Sequence, residues 1–104
     1  MRSVTHPSPA ELTLPDVLHA LSDPVRLAIV RVLHDSSGEL PCSRLGPLVS
    51  KSTLSHHLKV LRAAGVTWTR VDGTQRLVSL RTRDLEGRFP GLLDCVLEEL
   101  RQTA

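Results

Sequence analysis

The sequence predicts a small, mainly α-helical domain with one β-hairpin, in the element order α-α-α-α-β-β-α. Apolar residues recur at helical spacing in several segments, and one alternating, β-branched stretch surrounds an Asp-Gly dipeptide. Pro, Ser and Gly residues separate these segments. Because 104 residues make about one domain, we expect residues 1–104 to form a single domain with a flexible N-terminal tail over residues 1–8.

The first two helices are predicted within residues 8–36. The stretch SPAE at their start has a capping-box pattern with proline at the first helical position, and Pro15 restarts or bends the helix. Asp23 is the expected N-cap of the second helix, which ends at a Ser-Ser-Gly stretch. Its nearly continuous apolar content is typical of a central buried helix, with Arg26 and Arg31 at the exposed edge.

A short third helix is expected to begin at Pro41, and the fourth helix is the stretch KSTLSHHLKVLRAAGV, residues 51–66. Ser50 is the predicted N-cap of the fourth helix, and Gly65 supplies the left-handed residue after its last turn. Three leucines at i, i+4 and i+7 form its inward stripe: Leu54, Leu58 and Leu61.

The hairpin is predicted from residues 66–71 and 75–80, because the Asp-Gly dipeptide between them favours a tight turn. Trp68 is the expected large inward residue that holds the hairpin against the helices. The last helix is predicted to begin at Pro90 and to carry one broad apolar stripe with polar residues opposite.

Positive charge is concentrated in the middle of the chain. Residues 1–50 carry a net charge of −1, residues 51–83 carry +6 and residues 84–104 carry −3, although the whole chain has only +2. This distribution is the electrostatic footprint of a surface that binds a polyanion. The alternative is a solvated basic face whose charge partners come from the acidic ends of the chain.

A short helix, a turn, a basic helix and a basic hairpin together predict a winged helix-turn-helix that binds double-stranded DNA. Side chains near the N-terminus of a helix in the major groove reach base edges, and cations farther along contact phosphates. The hairpin is expected to reach the adjacent minor groove or backbone. For His57, a structural role at the helix junction is favoured over base contact. The predicted DNA-binding residues are Lys51, Ser52, Thr53, Ser55, His56, His57, Lys59, Arg62, Arg70, Gln75 and Arg76.

Composition argues against several other classes of protein. Trp68 and Phe89 are too few aromatic residues for base-stacking platforms. No apolar run approaches the roughly 20 residues of a membrane span, and the N-terminus lacks the apolar core of a secretory signal. No nucleophile elbow or activating carboxylate pattern accompanies Cys42 or Ser55. We therefore expect a cytoplasmic protein that is not an enzyme and has no membrane partner.

Three segments, ALSDPVRLAIVRVL, STLSHHLKVLRAAGV and RVDGTQRLVSL, resemble the arsenic-responsive (ArsR-type) repressors of bacteria over roughly residues 15–82. The most specific part is the pattern S-x-H-L-x-x-L, which begins at Ser55. The resemblance implies a homodimer formed through the first and last helices, which binds an inverted-repeat operator and represses transcription. The apolar stripes of these helices agree with a dimer, because exposed patches of that size mark interfaces. The predicted dimer residues are Leu14, Val17, Leu18, Leu92, Leu93, Val96, Leu97 and Leu100.

The metal chemistry of the resembling family does not carry over to this sequence. Metal-sensing members have paired thiols in a C-x-C motif or histidines in the last helix, whereas this chain has only Cys42 in the first place and no His in the second. We therefore predict no metal site and no cofactor, a non-standard set with His6 or His34 being the remaining alternative.

Cys42 and Cys95 are candidate redox residues, although packing is the favoured role for each. A position at a helix N-terminus near Arg44 would favour the Cys42 thiolate. Because some relatives sense sulfur species with two cysteines, a thiol-oxidant or persulfide switch is one hypothesis for signalling. An unidentified small-molecule inducer, or no ligand, is the other. The alternative function is a winged-helix module for protein–protein contact, which an apolar or acidic fourth helix would have indicated.

Overall fold

The computed structural model describes residues 4–36 and 38–102 without the side chains of residues 46–48, and it contains five α-helices and a three-stranded antiparallel sheet. Residues 1–3 of the predicted tail and residue 37 of the predicted Ser-Ser-Gly helix end lie outside the described residues. The α-helices are α1 Leu14–Ala20, α2 Pro24–Ser36, α3 Lys51–Ala63, α4 Thr82–Arg88 and α5 Leu92–Gln102. The strands are β1 Leu40–Pro41, β2 Thr67–Asp72 and β3 Gln75–Leu80, and 3₁₀ helices span Pro9–Glu11 and Cys42–Leu48.

The predicted order of helices and hairpin is confirmed, and it is that of a winged helix-turn-helix. Three elements differ from the prediction. The predicted third helix is a 3₁₀ helix that contains Pro47, which lacks the N–H group that an α-helix interior requires. Strand β1 is too short to show an alternating pattern, and α4 buries only Leu85, so neither has a clear signal in the sequence.

Capping residues delimit α3 at both ends, as predicted. The Ser50 hydroxyl accepts a hydrogen bond from the first turn of the helix, at 3.4 Å from the Thr53 nitrogen. After the helix, Gly65 has φ 83°, and it and Val66 donate their N–H groups to carbonyls of the last turn, each at 3.0 Å. A Cβ atom at Gly65 would overlap the side chain of Leu12, so both the backbone and the packing require glycine there.

Arg26 is buried at the junction of α1 and α2, with only 6% of its surface exposed, so its predicted place at the exposed edge of α2 is wrong. Its Nε donates to the carbonyl of Ala20 at 2.7 Å, and its Nη2 donates to the carbonyl of His19 at 3.2 Å. These carbonyls end α1 and have no partner within that helix, so they stabilise a buried guanidinium. Arg31 is half-buried and donates to the carbonyl of Leu100 at 3.3 Å, which connects α2 to α5.

The sheet has the strand order β1-β3-β2, and β2 and β3 form the predicted hairpin. Asp72 pairs with Gln75, so the two-residue turn is Gly73–Thr74, one position later than the Asp-Gly dipeptide suggests. Gly73 has φ 63°, a backbone conformation that glycine adopts without strain.

Trp68 faces outward from the hairpin and is 44% exposed, so the prediction that it points inward is wrong. Successive side chains of a strand point to opposite faces, and Thr67 and Thr69 occupy the inward positions, at 0% and 6% exposure. The inner face of β2 therefore packs small β-branched side chains against the helices.

An N-terminal segment packs against the outer face of β2 through His6. Its ring stacks on Trp68 with the centroids 3.8 Å apart, and its Nε2 accepts a hydrogen bond from the N–H of Thr69 at 2.9 Å. Arg81 donates to the carbonyl of Pro7 at 2.8 Å, and its guanidinium lies 5.2 Å from the Trp68 ring centroid. The flexible tail over residues 1–8 stays a prediction, but these contacts stand against it at residues 6 and 7.

The core is aliphatic, as the scarcity of aromatic residues predicts. It draws leucines, valines and one isoleucine from the helices, the loops between them and β3, and each is nearly inaccessible to solvent. The largest apolar side chains that are fully buried are Leu12, Val17, Ile29, Val30, Leu33, Leu45, Leu61, Val66 and Val78.

We predict that the fluorescence of Trp68, the only tryptophan, titrates with a midpoint below the usual histidine pKa of 6.5. Burial, with the nearby Arg81 charge, lowers the pKa of His6, so the ring stays neutral and accepts from Thr69 at neutral pH. The stabilisation by this contact is therefore complete above pH 6.5 and is lost as the pH falls toward the lowered pKa.

The measurement is Trp68 emission against pH, in the parent chain and two variants. His6→Gln should remove the transition, whereas His56→Gln, at an exposed histidine of α3, should keep it. A transition that persists in His6→Gln would show that another group causes it.

Candidate nucleic-acid interface

The face of α3 opposite the leucine stripe is exposed, as the sequence predicts. Leu54, Leu58 and Leu61 are buried at 6%, 9% and 0% exposure. Hydroxyls lie near the N-terminus of the exposed face, and cations lie at its start and in its second half. Its exposed members are Lys51, Ser52, Thr53, Ser55, His56 and Lys59, and Arg62 at its end is half-buried.

His57 lies on the inner side of α3 and is 8% exposed, so its place among the predicted DNA-binding residues is wrong. Its Nδ1 is 3.1 Å from Nη1 of Arg26. Because a guanidinium can only donate, Nδ1 must accept, so the ring carries its proton on Nε2. His57 thus has the structural role that the sequence favoured, and it connects α3 to the junction of α1 and α2.

Asp23 completes this junction at the start of α2. Its Oδ2 accepts hydrogen bonds from the N–H groups of Val25 at 2.8 Å and Arg26 at 3.1 Å, which confirms it as the N-cap. The backbone hydrogen bond from Arg26 holds the pKa of Asp23 below its usual value. Its Oδ2 is also 3.8 Å from His57 Nδ1. Asp23 also interacts with the charge of Arg26, so its carboxylate offsets part of the buried positive charge.

The three predicted hairpin residues, Arg70, Gln75 and Arg76, are exposed, but their environments differ. Arg70 forms two hydrogen bonds with the Glu39 carboxylate, at 2.9 Å from Nε and 2.8 Å from Nη2. Hydrogen bonding from Arg70 lowers the pKa of Glu39, so the pair is ionised and neutral overall. Gln75 and Arg76 follow the turn at the start of β3. Arg76 also lies beside α3, so it is the hairpin cation that borders the same cleft as Lys59 and Arg62.

A cleft of about 740 Å³ lies between the 3₁₀ helix Cys42–Leu48, α3 and the hairpin. Cys42 lines it and is half-buried, and burial raises the pKa of its thiol although Arg76 and Arg62 are near. The expectation that the Cys42 thiolate is favoured is therefore wrong. Cys95 is exposed on α5, so its predicted packing role is wrong as well, and both thiols are free.

The predicted dimer residues divide into three groups. Val17 and Leu93 belong to the core of the single chain, at 1% and 3% exposure, so they are not available for an interface. Leu14 and Leu18 on α1 are 43% and 48% exposed. The remaining four are half-buried on α5: Leu92, Val96, Leu97 and Leu100.

Within residues 4–36 and 38–102, no three His, Cys, Asp or Glu side chains are grouped closely enough to hold a metal ion. In the same ranges, no helix has the length and apolar character needed to cross a membrane. The absence of a metal site remains a prediction for the whole chain.

Comparison of the sequence with known proteins finds helix-turn-helix proteins. A family model described as a helix-turn-helix domain matches residues 21–67. The chain is 44% identical over 80 residues to the uncharacterized HTH-type transcriptional regulator YceK of Bacillus subtilis (strain 168), covering 75% of this chain and 80% of that protein.

Two solved structures are similar over most of their length. One is a possible transcriptional regulator for arsenical resistance, with a TM-score of 0.63 and 32% identity, covering 86% of this chain and 96% of that one. The other is the transcriptional repressor BigR from Xylella fastidiosa, with a TM-score of 0.64 and 28% identity, covering 83% and 84% of the two chains.

We predict that Arg26→Met lowers the free energy of unfolding by roughly 2–4 kcal/mol. The variant keeps the apolar bulk but leaves the Ala20 carbonyl and the His57 ring without the donor Arg26, and each unsatisfied buried group costs about 1–3 kcal/mol. The His19 carbonyl keeps the Ser22 hydroxyl and N–H as donors. Urea unfolding measures the change. The matched control is Arg83→Met, at an exposed position of α4, which should stay within about 0.5 kcal/mol of the parent. Equal stability of the two variants would contradict a structural role for the Arg26 contacts.

Proposed function

We propose that this chain, which belongs to the ArsR-type winged helix-turn-helix transcriptional regulators, is a homodimeric repressor that binds an inverted-repeat operator. The regulator class is the premise, and the dimer, the operator and the residues that contact DNA are the proposal. Operator DNA as the partner also implies a cytoplasmic location.

The observation that carries the proposal is the exposed face of α3. An α-helix fits the major groove, and its N-terminal side chains reach base edges. Ser52, Thr53 and Ser55 are exposed there, and their small hydroxyls allow close approach. His56 is exposed beside them, and it can hydrogen-bond to a base edge or a phosphate. We assign these residues to base contact.

Phosphate contact is assigned to the cations around this group. Lys51 lies at the start of α3, and Lys59 and Arg62 lie in its second half, where a helix in the major groove approaches the backbone. Arg76 and Gln75 extend the basic surface onto the hairpin. Arg70 has a smaller role, because it must first leave its ion pair with Glu39.

Apolar exposure on α1 supports the homodimer. Leu14 and Leu18 present nearly half of their surface to solvent in the single chain, and α5 carries a half-buried apolar stripe. Large exposed apolar side chains grouped on one helix are typical of an interface. A two-fold dimer would place two copies of α3 about 34–36 Å apart, in successive major grooves of an inverted repeat.

Two other functions have less support. A protein–protein module would not need exposed lysines on α3, whereas a polyanion does. A thiol switch through Cys42 and Cys95 requires a reactive thiolate, but burial raises the pKa of Cys42 and keeps its thiol protonated at neutral pH.

We predict that Lys59→Ala weakens binding to operator and random duplexes by a similar factor, because a phosphate contact carries no sequence information. The slope of log K against log salt should fall by about one unit. Fluorescence anisotropy with the chain's own upstream DNA and a scrambled duplex measures both. Arg83→Ala removes the same charge from an exposed site on α4 and should leave the slope unchanged.

Ser55→Ala provides the contrast in the same experiment. The loss of a base contact should reduce operator affinity by roughly 1–3 kcal/mol and affinity for the scrambled duplex by less. If no duplex binds at low salt, DNA is not the partner. If Ser55→Ala weakens both duplexes equally, the division into base and phosphate contacts is wrong.

We predict that Leu18→Glu converts the dimer to single chains, because the substitution buries a charge in the proposed apolar interface. Light scattering after size-exclusion chromatography measures the mass of each species. Thr74→Glu adds the same charge at the exposed turn of the hairpin, so it should leave the mass unchanged. A parent chain that is single at all concentrations would contradict the dimer.

A further inference from the structure

We propose that the cleft between the 3₁₀ helix Cys42–Leu48, α3 and the hairpin binds a small organic anion with an apolar body. Bound there, the anion would occupy cations that the proposed function assigns to DNA phosphates. The competition with DNA thus rests on that function, whereas the binding site itself does not.

The cleft has the size of a ligand site. Its volume of about 740 Å³ lies within the roughly 300–1,000 Å³ that small-molecule sites occupy. Contact with a DNA backbone requires exposed cations but no recess of this volume with an apolar lining. The cavity therefore has a feature that DNA binding does not explain.

The floor of the cleft is mostly apolar. Leu54 and Leu58 reach it from the inner stripe of α3, and Thr69 reaches it from β2. Cys42 adds a half-buried side chain, and a protonated thiol behaves as a small apolar group. Water in contact with such a floor is released when an apolar body covers it, which favours binding.

The rim of the cleft is strongly basic. Lys51, Lys59, Arg62 and Arg76 line it from α3 and from the hairpin. Among the described residues that line the cleft, none is acidic, so these cations repel one another without an internal counter-charge. An occupant with a carboxylate or sulfonate group relieves that repulsion, and a neutral or cationic occupant does not.

The consequence for regulation follows from the shared cations. An anion that pairs with Lys59 and Arg62 removes them from the DNA phosphates, so the two ligands exclude each other. Linkage requires that DNA lower the affinity for the anion by the same factor. Release of the operator would then need no metal, no thiol oxidation and no change of fold.

The two cysteines provide the test, because Cys42 lines the cleft and Cys95 is exposed on α5. The probe is 8-anilinonaphthalene-1-sulfonate, an apolar body with one negative charge, and its neutral control is N-phenyl-1-naphthylamine. Alkylation of each cysteine by iodoacetamide is followed by peptide mass spectrometry. We expect the sulfonate to slow the alkylation of Cys42 by about tenfold or more, with a saturable dependence on its concentration. The alkylation rate of Cys95 should not change. The neutral analogue should protect Cys42 far less.

Charge variants locate the anion within the cleft. Arg62→Gln should weaken protection of Cys42 by about tenfold, whereas Arg83→Gln, which removes the same charge outside the cleft, should not. Equal protection of both cysteines, or equal protection by the neutral analogue, overturns the proposal. An alkylation rate of Cys42 that does not change in millimolar sulfonate also overturns the proposal.

A duplex DNA arm separates this inference from the proposed function. Duplex DNA alone should also slow the alkylation of Cys42. The sulfonate should displace the duplex from the protein, which a fall in the fluorescence anisotropy of labelled DNA would report. If the sulfonate protects Cys42 but no duplex binds, the anion site stands and the proposed function fails. If duplexes bind while the sulfonate leaves Cys42 unprotected, the anion site is wrong and the proposed function stands.

Discussion

The orientation of α3 depends on one buried cation. Arg26 connects three elements. Its backbone lies in the first turn of α2, and its guanidinium donates to the last carbonyls of α1 and to the His57 ring of α3. A buried guanidinium without these acceptors would be strongly destabilising, so the acceptors have little freedom to move. The contact therefore limits not only how close α3 lies to α2 but also how it is rotated about its axis.

That rotation decides which side chains of α3 meet solvent. Consecutive residues on a helix point about 100° apart, so holding His57 inward against Arg26 turns His56 outward. An interface of leucines alone allows small rotations at little cost, because apolar contacts are not directional. A hydrogen bond to a ring nitrogen does not allow them, since its strength falls steeply with angle. The buried Arg26–His57 contact thus fixes which polar side chains lie on the exposed face of α3.

Local signals in the sequence predicted α3 well and the contacts between elements poorly. Ser50, the leucine stripe and Gly65 lie within one segment, so the helix, its ends and its exposed face follow from spacing alone. The positions of Trp68 and Arg26 were predicted wrongly. Which face of β2 packs on the helices, and which carbonyls at the end of α1 accept from Arg26, depend on contacts between elements that no local pattern reveals. Most of the candidate surface could therefore be predicted, and so could the structural role of His57. The contact of His57 with Arg26 and the pairing of Arg70 with Glu39 could not, because each joins residues 31 positions apart in the chain.

The basic surface has two proposed ligands, duplex DNA and a small organic anion, and their binding would depend differently on salt. A duplex binds by releasing counterions from several phosphates, so its affinity falls steeply as salt rises. A single organic anion in the cleft carries about one charge, and much of its binding comes from the apolar floor, which salt weakens little. If both ligands share Lys59 and Arg62, as proposed, raising the ionic strength would shift their competition toward the small anion. A surface with the same cations and no recess would lack this bias, because every ligand would bind it through charge alone.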